Sequence, residues 1–546
     1  MANVKFNKSK FEKEIGKLNK VMQEKIALFG MTVENLNDEE IELDITPNRP
    51  DLLSYEGFKR AFLGFLGKKV GLKSYKIYPP EKDYEIIVDS SVKEVRPYTA
   101  CCIVRGLKLD EAKIKELIDM QEKIHSTVGR KRKKLAIGIY PLDKIKLPIR
   151  YMALEPDKIK FLPLESQREM NGLEILQNHP TGKEYAHLLA GKMKFPVFID
   201  SNNSVLSMPP IINSENTGRI TTKTKDVFIE CSGFDFEILN KILVIISTTL
   251  AEMKGKIYSM KVNGKVVPNF STQSVKISLE NTNSLLGLNL KEKEMKNHLE
   301  KMGHNYNKNM IEVAPWRTDI LGEVDLIEDV AISYGYNNFI PEIPEISTIG
   351  GENSEEVIKK KIADILVGLG LLEVSNYHLT KKEDQLMKMG VLEDREKDVV
   401  ELVNSKTEYN ILRKDLSHYF LKIFSENVDS EYPQKIFEMG RVFKVEGNLQ
   451  IIESENLSVG VTPGNFTDAK QILDYLGKNL GISFKVKEQE KVETYFISGR
   501  SADIFLDNKR IGKIGEVHPK ILKNWKAKMP VSLFELNLEE IYKKFK

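Results

Sequence analysis

The sequence predicts an α+β protein built from several domains. The chain has 546 residues, and at about 150 residues per domain this length corresponds to three or four domains, each able to bury a core. Strand-like runs such as Leu135–Tyr140 alternate with segments of helical periodicity such as Asp235–Met253. Residues 76–82, which include two prolines, are typical of a linker. Together these features indicate mixed α+β domains joined by short connections.

Residues 1–85 and 86–270 form the first two predicted domains. In residues 1–85, helices are predicted at about 8–20 and 54–67, around an extended segment at Glu40–Thr46. In residues 86–270, strands and helices alternate; the clearest are the strands Tyr98–Val104, Leu135–Tyr140 and Pro196–Asp200 and the helix Asp235–Met253.

Residues 271–346 and 347–546 form the other two predicted domains. The third contains a strand at Val275–Leu279, a helix near 291–302, a strand at Met310–Val313 and an acidic helix that ends at Gly335. The fourth begins with a helix at 355–369, continues through several strands, and ends with a strand at Leu533–Leu538 before a short charged tail.

Composition excludes some classes of protein. The 82 basic and 79 acidic side chains leave a net charge of only +3, so the chain is not a uniformly basic nucleic-acid coat. The first ten residues lack the apolar core of a signal peptide, and no run of about 18 apolar residues follows, which predicts a cytosolic protein with no membrane partner. Cys101, Cys102 and Cys231 form no Cys-x-x-Cys pair and are predicted to be reduced packing residues.

The acidic helix presents carboxylates on one face. Asp325, Glu328 and Asp329 stand at i, i+3 and i+4, and Asp319 lies just before the helix. Like charges so placed repel, and a cation held by oxygen ligands, Mg²⁺ or Ca²⁺, would relieve the repulsion. Alternatively, acids in a first turn complement the helix dipole. Spacing alone leaves both interpretations open.

Resemblance to a known family supports the cation. The segment 315–341 resembles the acidic-helix domain of the beta subunit of phenylalanyl-tRNA synthetase, in which the residues that match Asp319, Asp325, Glu328 and Asp329 are magnesium ligands. Four other stretches resemble the same family in the same order, the second of them in its archaeal and eukaryotic form: Asp44–Asp51, Val205–Ser214, Ile436–Phe443 and Gly499–Pro519.

The resemblance implies an activity and a division of labour. The implied fold has an N-terminal domain (1–85), an α+β editing domain that binds tRNA (86–270), a small acidic-helix domain (271–346) and an antiparallel core like that of class II synthetases (347–546). The implied reaction is ATP-dependent attachment of phenylalanine to its tRNA by two alpha and two beta chains, with ATP as substrate and Mg²⁺ as cofactor. Arg441 faintly resembles the phosphate-binding arginine of class II enzymes, but no glycine-rich motif with a second arginine follows. The final core therefore lacks catalytic motifs, and adenylation is expected on the alpha subunit.

The editing domain is the predicted site of chemistry in this chain. A pocket for phenylalanine rejects tyrosine by only about 10² in comparable cases, so misattached tyrosine must be removed by hydrolysis. By resemblance, Leu206 and Ser214 line the editing pocket, and its acid lies in 228–237. Asp235 is the first choice and Glu230 its rival, with Ser232, Phe234 and Glu237 standing where the family has threonines. An N-cap role for Asp235, a solvated strand position for Glu230 and a turn or capping role for Ser214 remain alternatives.

Several questions stay open at this stage. No nucleophile elbow accompanies His125, His179 or His187, so a positioned water is the expected nucleophile. The basic run 130–134 either guides the tRNA acceptor end by phosphate attraction or forms a solvated loop. The chain is accordingly a synthetase beta subunit with an active editing site, the same subunit with a decayed one, or a non-catalytic tRNA-binding or assembly protein derived from it.

Overall fold

The structure is a computed structural model that describes residues 2–391, 398–447, 450–489 and 492–545. Contacts divide the chain into two units, Met1–Ile343 and Pro344–Lys546. Each unit contains helices together with strands, so the mixed α+β architecture predicted from the sequence is confirmed.

The first unit begins with a three-stranded antiparallel sheet, in the order β1-β3-β2, and three helices. The elements are β1 (Ala2–Asn7), α1 (Lys8–Glu14), α2 (Lys20–Leu28), β2 (Thr32–Leu36), β3 (Glu40–Ile45) and α3 (Tyr55–Phe65). The single helix predicted at 8–20 is wrong. Gly16 takes a φ of +147°, which interrupts the helix, and the side chain of Asn19 caps α2 by accepting the Met22 N–H at 3.0 Å.

An eleven-stranded sheet forms the middle of the first unit. The strand order is β13-β12-β11-β8-β5-β15-β6-β14-β7, with β4 and β16 also paired to β15, whereas β9 and β10 form a separate two-stranded sheet. The elements are β4 (Ile77–Tyr78), β5 (Glu85–Val88), β6 (Tyr98–Arg105), α4 (Glu111–Ser126), β7 (Leu135–Pro141), β8 (Ile149–Leu154), β9 (Lys160–Phe161), β10 (Met170–Asn171), α5 (Gly172–Asn178), α6 (Pro180–Tyr185), β11 (Phe195–Ile199), β12 (Val205–Met208), β13 (Ile212–Asn213), α7 (Glu215–Gly218), β14 (Val227–Gly233), α8 (Phe236–Glu252), β15 (Lys256–Val262) and β16 (Lys265–Val267).

The central strands of this sheet are buried on both faces. Cys102 and Ile229 belong to the same core cluster as the apolar residues of α4 and α8, whereas Cys101 and Phe228 face a second cluster. All three cysteines are buried and unpaired, as predicted. The predicted linker at 76–82 contains a short strand, because β4 pairs in parallel with β15.

The acidic helix belongs to a small module at the end of the first unit. Its elements are β17 (Gln273–Lys276), α9 (Leu279–Leu286), α10 (Glu292–Lys301), β18 (Asn305–Asn307), β19 (Met310–Val313) and α11 (Glu323–Tyr334). The strands form an antiparallel sheet in the order β17-β19-β18. Strand β17 ends before the predicted limit at Leu279, because α9 begins there. Helix α11 ends at Gly335, which has a φ of +96°, and buries Leu326, Ile327 and Val330 in the core of the module.

The second unit is built on a seven-stranded sheet in the order β20-β23-β24-β28-β27-β26-β25, antiparallel except between β20 and β23. Strands β21 and β22 form a separate two-stranded antiparallel sheet. The elements are α12 (Ser354–Gly368), β20 (Leu372–Glu373), β21 (Leu379–Lys381), β22 (Tyr409–Leu412), α13 (Ser417–Glu426), β23 (Gln434–Glu446), β24 (Gln450–Thr462), α14 (Phe466–Leu480), β25 (Lys485–Glu488), β26 (Phe496–Leu506), β27 (Lys509–Val517), α15 (Pro519–Trp525), β28 (Ser532–Asn537) and α16 (Glu539–Phe545). The predicted charged tail is the helix α16, which buries Ile541 and Tyr542.

Candidate functional sites

A cavity of about 430 Å³ lies beside strands β7 and β14 in the first unit. We call it the Glu230 cavity, after the acid that lines it. Helix α4 contributes Gln121 and His125 to the other walls, and the segment between β12 and α7 contributes Asn213. Arg132, from the turn before β7, and Ile139, on β7, also line the cavity. The cavity therefore combines an apolar lining with a few polar groups, which is typical of small-molecule sites.

Glu230 stands in the middle of β14, with only 2% of its surface exposed. Its neighbours across the sheet are Gly138 on β7 and Cys101 on β6. The hydroxyl of Tyr140 donates a hydrogen bond to Glu230 Oε1 at 3.3 Å, and Oε2 has no hydrogen-bond partner among the described residues. Burial raises the pKa of the carboxyl to about 8, although the charge of Arg96 acts in the opposite direction. At neutral pH Glu230 is mostly a neutral acid with one oxygen free.

Gly138 makes this arrangement sterically feasible. A Cβ atom at this position would lie 2.1 Å from the Tyr140 hydroxyl and 2.6 Å from Glu230 Oε1. Both contacts are far inside van der Waals distance, so any other residue would displace the acid or the tyrosine.

A basic turn with unusual backbone angles contributes Arg132 to the cavity lining. Arg130, Lys131 and Arg132 have φ values of +46°, +53° and +63°, which are unusual for residues with a side chain. Arg132 donates to the Ile211 carbonyl at 2.8 Å and to Glu122 Oε1 at 2.9 Å, and its guanidinium lies 4.4 Å from the ring centroid of Tyr185. The turn thus directs one of its arginines into the cavity wall.

The residues predicted for the editing pocket occupy different places. Glu230 lines the cavity, whereas Leu206 is fully buried in the core cluster on the same face of β6 and β14 as Glu230, together with Cys101 and Phe228. Ser214 is buried next to the cavity residue Asn213 and precedes α7, where its side chain makes no capping bond. Asp235 is exposed and caps α8, since its Oδ1 accepts the N–H groups of Glu237 and Ile238 at 3.0 and 3.2 Å. Of the two candidate acids, Glu230 lines this cavity, and Asp235, the first choice from sequence, is not among its lining residues.

Sequence reasoning misses three further residues of this site. Tyr140, Gly138 and Asn213 meet Glu230 or line its cavity only because β7, β13 and β14 come together in space. Strand alternation puts Tyr140 and Gly138 on one face of β7, but the pairing that sets them opposite β14 is not readable from a single chain.

The predicted magnesium ligands border a second, larger cavity of about 1140 Å³ in the first unit. Two of them are held by Arg317, whose Nη2 donates to Asp319 Oδ2 at 2.7 Å and to Asp329 Oδ1 at 3.0 Å. His304 Nε2 lies 2.8 Å from Asp329 Oδ2. Burial opposes ionisation of Asp329, but the charge of Arg317 and the contact with His304 outweigh it and hold the pKa well below its usual range.

The other two acids have separate roles. Asp325 Oδ2 accepts the N–H groups of Leu321 and Gly322 at 2.7 and 2.9 Å, as expected for an acid that caps a helix start, and Glu328 is exposed. Within the described ranges, no three His, Cys, Asp or Glu side chains are grouped so that they could hold a metal ion. The residues as arranged do not fit the four-carboxylate site, and the magnesium assignment stays a prediction.

Comparison with known proteins identifies the family. Three family models match the chain: a B3/4 domain over residues 91–243, a tRNA synthetase B5 domain over 275–336, and a phenylalanyl tRNA synthetase beta chain CLM domain over 340–538. The matched domains define a subunit of an aminoacyl-tRNA synthetase. No helix in the described part of the chain is both long and apolar enough to span a membrane.

Individual relatives narrow the class to one enzyme. The phenylalanine–tRNA ligase beta subunit of Archaeoglobus fulgidus is 37% identical over 545 residues, covering 97% of each chain. Those of Thermococcus sibiricus and Pyrococcus furiosus are 39% and 40% identical, covering 91% of this chain and 90% of theirs. A crystal structure of an N-terminal fragment of the phenylalanyl-tRNA synthetase beta subunit from Pyrococcus horikoshii superposes with a TM-score of 0.58 at 38% identity, covering 61% of this chain and 99% of the fragment. This chain belongs to the phenylalanine–tRNA ligase beta subunit family, and its class of enzyme is a ligase.

Proposed function

We propose that this chain works as the beta subunit of a cytoplasmic phenylalanine–tRNA ligase and that its Glu230 cavity hydrolyses tyrosine misattached to the tRNA for phenylalanine. The observation that carries the second part is the free Oε2 of a fully buried acid at a cavity wall. A buried polar atom without a partner costs about 1–3 kcal/mol, which a ligand hydroxyl would recover. Tyrosine carries such a hydroxyl and phenylalanine does not.

The unpaired oxygen favours binding of the tyrosyl ester over the phenylalanyl ester, which is the selectivity that editing requires. A site that hydrogen-bonds a substrate hydroxyl strongly rejects an analogue without that hydroxyl. An apolar pocket rejects an analogue with an added hydroxyl much more weakly. In this cavity the tyrosine phenol donates to Glu230 Oε2, and a neutral carboxyl can also donate its own proton to the phenol oxygen. The phenylalanyl ester would leave Oε2 unpaired, so correctly charged tRNA is spared.

Hydrolysis requires no covalent intermediate here. Water adds its oxygen to the tyrosyl carbonyl carbon, the bond from that carbon to the ribose oxygen breaks, and the ribose oxygen receives a proton. His125 and His179 line the same cavity, but His125 Nε2 accepts the Ile137 N–H at 2.9 Å, and His179 Nε2 lies 3.1 Å from the Leu164 carbonyl. Both imidazoles thus have structural contacts, which supports a positioned water as the nucleophile.

The attachment reaction is assigned to a complex. The name of the relatives, beta subunit, supports an alpha partner, which we propose carries the adenylation site in a complex of two alpha and two beta chains. The second unit supports this division. Arg441 lies on the outside of β23 with 59% of its side chain exposed and pairs with Glu453 at 3.2 Å, a surface ion pair rather than a phosphate cradle. Mg²⁺ and ATP belong to the assembled reaction, and the domain limits 1–85, 86–270, 271–346 and 347–546 remain part of this proposal.

The test of editing measures hydrolysis of tyrosyl-tRNA and phenylalanyl-tRNA by variants of Glu230 and Asp235. In the enzyme assembled with the alpha subunit, Glu230→Ala should slow hydrolysis of tyrosyl-tRNA by on the order of ten- to a hundredfold, because it removes the phenol partner. Attachment of phenylalanine should stay nearly unchanged, and hydrolysis of phenylalanyl-tRNA should not slow. Asp235→Ala is the matched control, because Asp235 lies near Glu230 in the sequence but is exposed and caps α8 outside the cavity.

A selective loss in Glu230→Ala together with unchanged selectivity in Asp235→Ala supports the proposal. Equal loss on both esters would assign Glu230 to the structure of the sheet instead. Hydrolysis of neither ester by the parent enzyme would mean that the editing site has decayed.

A further inference from the structure

The Glu230 cavity contains a second polar group that the proposed reaction leaves unused. Asn213, on strand β13, lines the cavity and is half-buried. It pairs with Ser207 of β12, and its carbonyl accepts the Leu164 N–H at 2.9 Å. These main-chain bonds fix the backbone on two sides. The amide side chain is therefore presented to the cavity from a rigid element rather than from a free loop.

The hydroxyl of Tyr140 holds Asn213 and Glu230 side by side. It lies 3.3 Å from Asn213 Oδ1 and 3.3 Å from Glu230 Oε1. A tyrosine hydroxyl has one proton, so the two oxygens share a single donor. The ring of Tyr140 is itself held by stacking on Phe228, with 5.7 Å between the centroids. The amide of Asn213 and the carboxyl of Glu230 are therefore neighbours in the cavity wall.

The side of the Asn213 amide that remains open is its nitrogen. Oδ1 faces Tyr140, whereas Nδ2 has no hydrogen-bond partner among the described residues. Gly218 also lines the cavity, and a Cβ atom there would lie 2.9 Å from Asn213 Cβ and 3.7 Å from Nδ2. The absence of a side chain at Gly218 thus leaves room beside the amide. The wall offers an open donor, Asn213 Nδ2, near an acceptor without a partner, Glu230 Oε2.

These two atoms complement a phenol. The hydroxyl of tyrosine can donate one hydrogen bond and accept another, so a single hydroxyl can bond to Oε2 and to Nδ2 at once. Phenylalanine has neither a donor nor an acceptor on its ring and would leave both atoms without a partner. Two contacts to one hydroxyl reject phenylalanine more strongly than a contact to Glu230 alone, because each unpaired group adds its own penalty.

We propose that Asn213 is a specificity-determining residue of the Glu230 cavity, which donates from its amide nitrogen to the phenol oxygen while Glu230 receives the phenol proton. Tyr140 is the positioning residue that holds the two groups together. The inference rests on the proposed editing function. It defines the substrate class as aminoacyl esters whose aromatic ring carries a hydroxyl able both to donate and to accept.

The experiment uses the enzyme assembled with its alpha subunit and measures hydrolysis of tyrosyl-tRNA and phenylalanyl-tRNA. Asn213→Ala removes the amide, and Asn213→Leu replaces it with an apolar side chain of similar size. Tyr140→Phe removes only the hydroxyl and keeps the ring. Asn178→Ala is the matched control, because Asn178 is an exposed asparagine of the same domain and is not among the described residues that line the cavity. Circular dichroism confirms that each variant is folded.

Asn213→Ala should slow hydrolysis of tyrosyl-tRNA by roughly three- to tenfold, the effect of one neutral hydrogen bond, without slowing that of phenylalanyl-tRNA. Asn213→Leu should lower the selectivity at least as much, and Asn178→Ala should match the parent. Either Asn213 variant decides the question if the other does not fold. Equal slowing of both esters, or no slowing, would overturn the inference, while a selective loss in Glu230→Ala would leave the proposed function standing.

The role of Tyr140 has a separate readout. Tyr140→Phe should slow hydrolysis of tyrosyl-tRNA by about threefold or more, because the amide and the carboxyl lose their shared partner. In a background that carries both Asn213→Ala and Glu230→Ala, the same substitution should change the rate by less than about twofold, since no group is left to position. An equal effect in both backgrounds would assign Tyr140 to the packing of the sheet.

A binding measurement separates recognition from hydrolysis. Adenosines that carry tyrosine or phenylalanine through a stable 3′-amide are titrated calorimetrically into the assembled enzyme, with the proposed alpha-subunit site filled by a phenylalanyl-adenylate analogue. The parent should prefer the tyrosyl compound, and Asn213→Ala should reduce this preference by roughly three- to tenfold. An undiminished preference would reject the inference alone. No preference in the parent would reject the inference together with the proposed function, whereas preference without hydrolysis of tyrosyl-tRNA would reject only the proposed function.

Discussion

Glu230 shows how one buried side chain can be given a specific protonation state. Its position in β14 shields the carboxyl from water. The absence of a side chain at Gly138 lets the Tyr140 hydroxyl approach Glu230, and the charge of Arg96 limits how far the pKa of Glu230 rises. Perturbed acids in cavities are often functional, and here the geometry points the same way as the pKa.

The buried environment of Glu230 should make the stability of the folded protein depend on pH. An unfolded glutamate titrates near 4.5 and the folded Glu230 near 8, so the folded state holds the proton more tightly. The contribution of Glu230 to stability is therefore fully present below about 4.5 and is lost as pH rises to about 8, by on the order of a few kcal/mol. Glu230→Gln cannot lose a proton, so it should gain stability relative to the parent across this window.

Denaturant unfolding at a series of pH values measures that difference. The control is Glu237→Gln, because Glu237 is exposed and its variant should track the parent at every pH. A difference between Glu230→Gln and the parent that stays flat across the window would show that Glu230 is not a neutral buried acid.

Sequence reasoning names Glu230 as a candidate for the pocket acid and ranks it behind Asp235. The family pattern indicates 228–237 as the region of the pocket acid and favours Asp235, which matches it. Whether an acid caps a helix or enters a cavity depends on where the strand ends, which only the fold reveals. Two departures from the family pattern, Ser232 and Phe234, have a physical context in the structure, since both contact Arg96.

At the scale of elements, Arg317 connects the middle of α11, at Asp329, to the segment before the helix. Its guanidinium and the Asp329 carboxylate are both 3% exposed, and they form a buried pair that Asp319 extends. The sequence predicts the helix, its end at Gly335 and the shared face of its acids. It cannot predict that an arginine two residues before Asp319 folds back onto that face, because this depends on tertiary packing.

Asp329→Asn should destabilise the first unit by roughly 3–5 kcal/mol, because it leaves Arg317 buried with part of its charge uncompensated. The variant should also lose less stability than the parent on acidification, since a carboxylate with a lowered pKa stabilises the fold above its unfolded value of 3.8 and loses that effect as pH falls. Thermal unfolding of the purified chain measures both effects. Glu328→Gln, an exposed neighbour, serves as the control and should change stability by less than about 0.5 kcal/mol. Equal effects of the two substitutions would contradict the role of the buried pair.

At the scale of the whole molecule, regular elements with strong periodicity are predictable from the sequence. The strand at Met310–Val313 and the helix α12, predicted at 355–369, agree with the structure to within a residue. Sequence-based prediction fails for elements whose conformation depends on contacts with residues far away in the chain. Strand β4 exists because β15 pairs with it, and α16 forms where its apolar residues find a core.

The purified chain, free of alpha subunit, should show no phenylalanine-dependent exchange of pyrophosphate with ATP. The physical reason is that Arg441, which resembles the phosphate-binding arginine of class II enzymes, is engaged in a surface ion pair. The assembled enzyme, prepared in parallel, is the positive control. Exchange by the isolated chain at a rate comparable to that of the complex would refute the assignment of adenylation to the partner.

Gly138 has a consequence for engineering the pocket. Since any side chain there meets the Tyr140 hydroxyl and the Glu230 carboxyl, position 138 is a steric control over the placement of the acid. A library randomised at this codon and selected for growth in excess tyrosine should return glycine almost exclusively, whereas one selected only for folding should also admit alanine. A designer who wants the subunit to tolerate a hydroxylated analogue of phenylalanine can begin with this single methyl group.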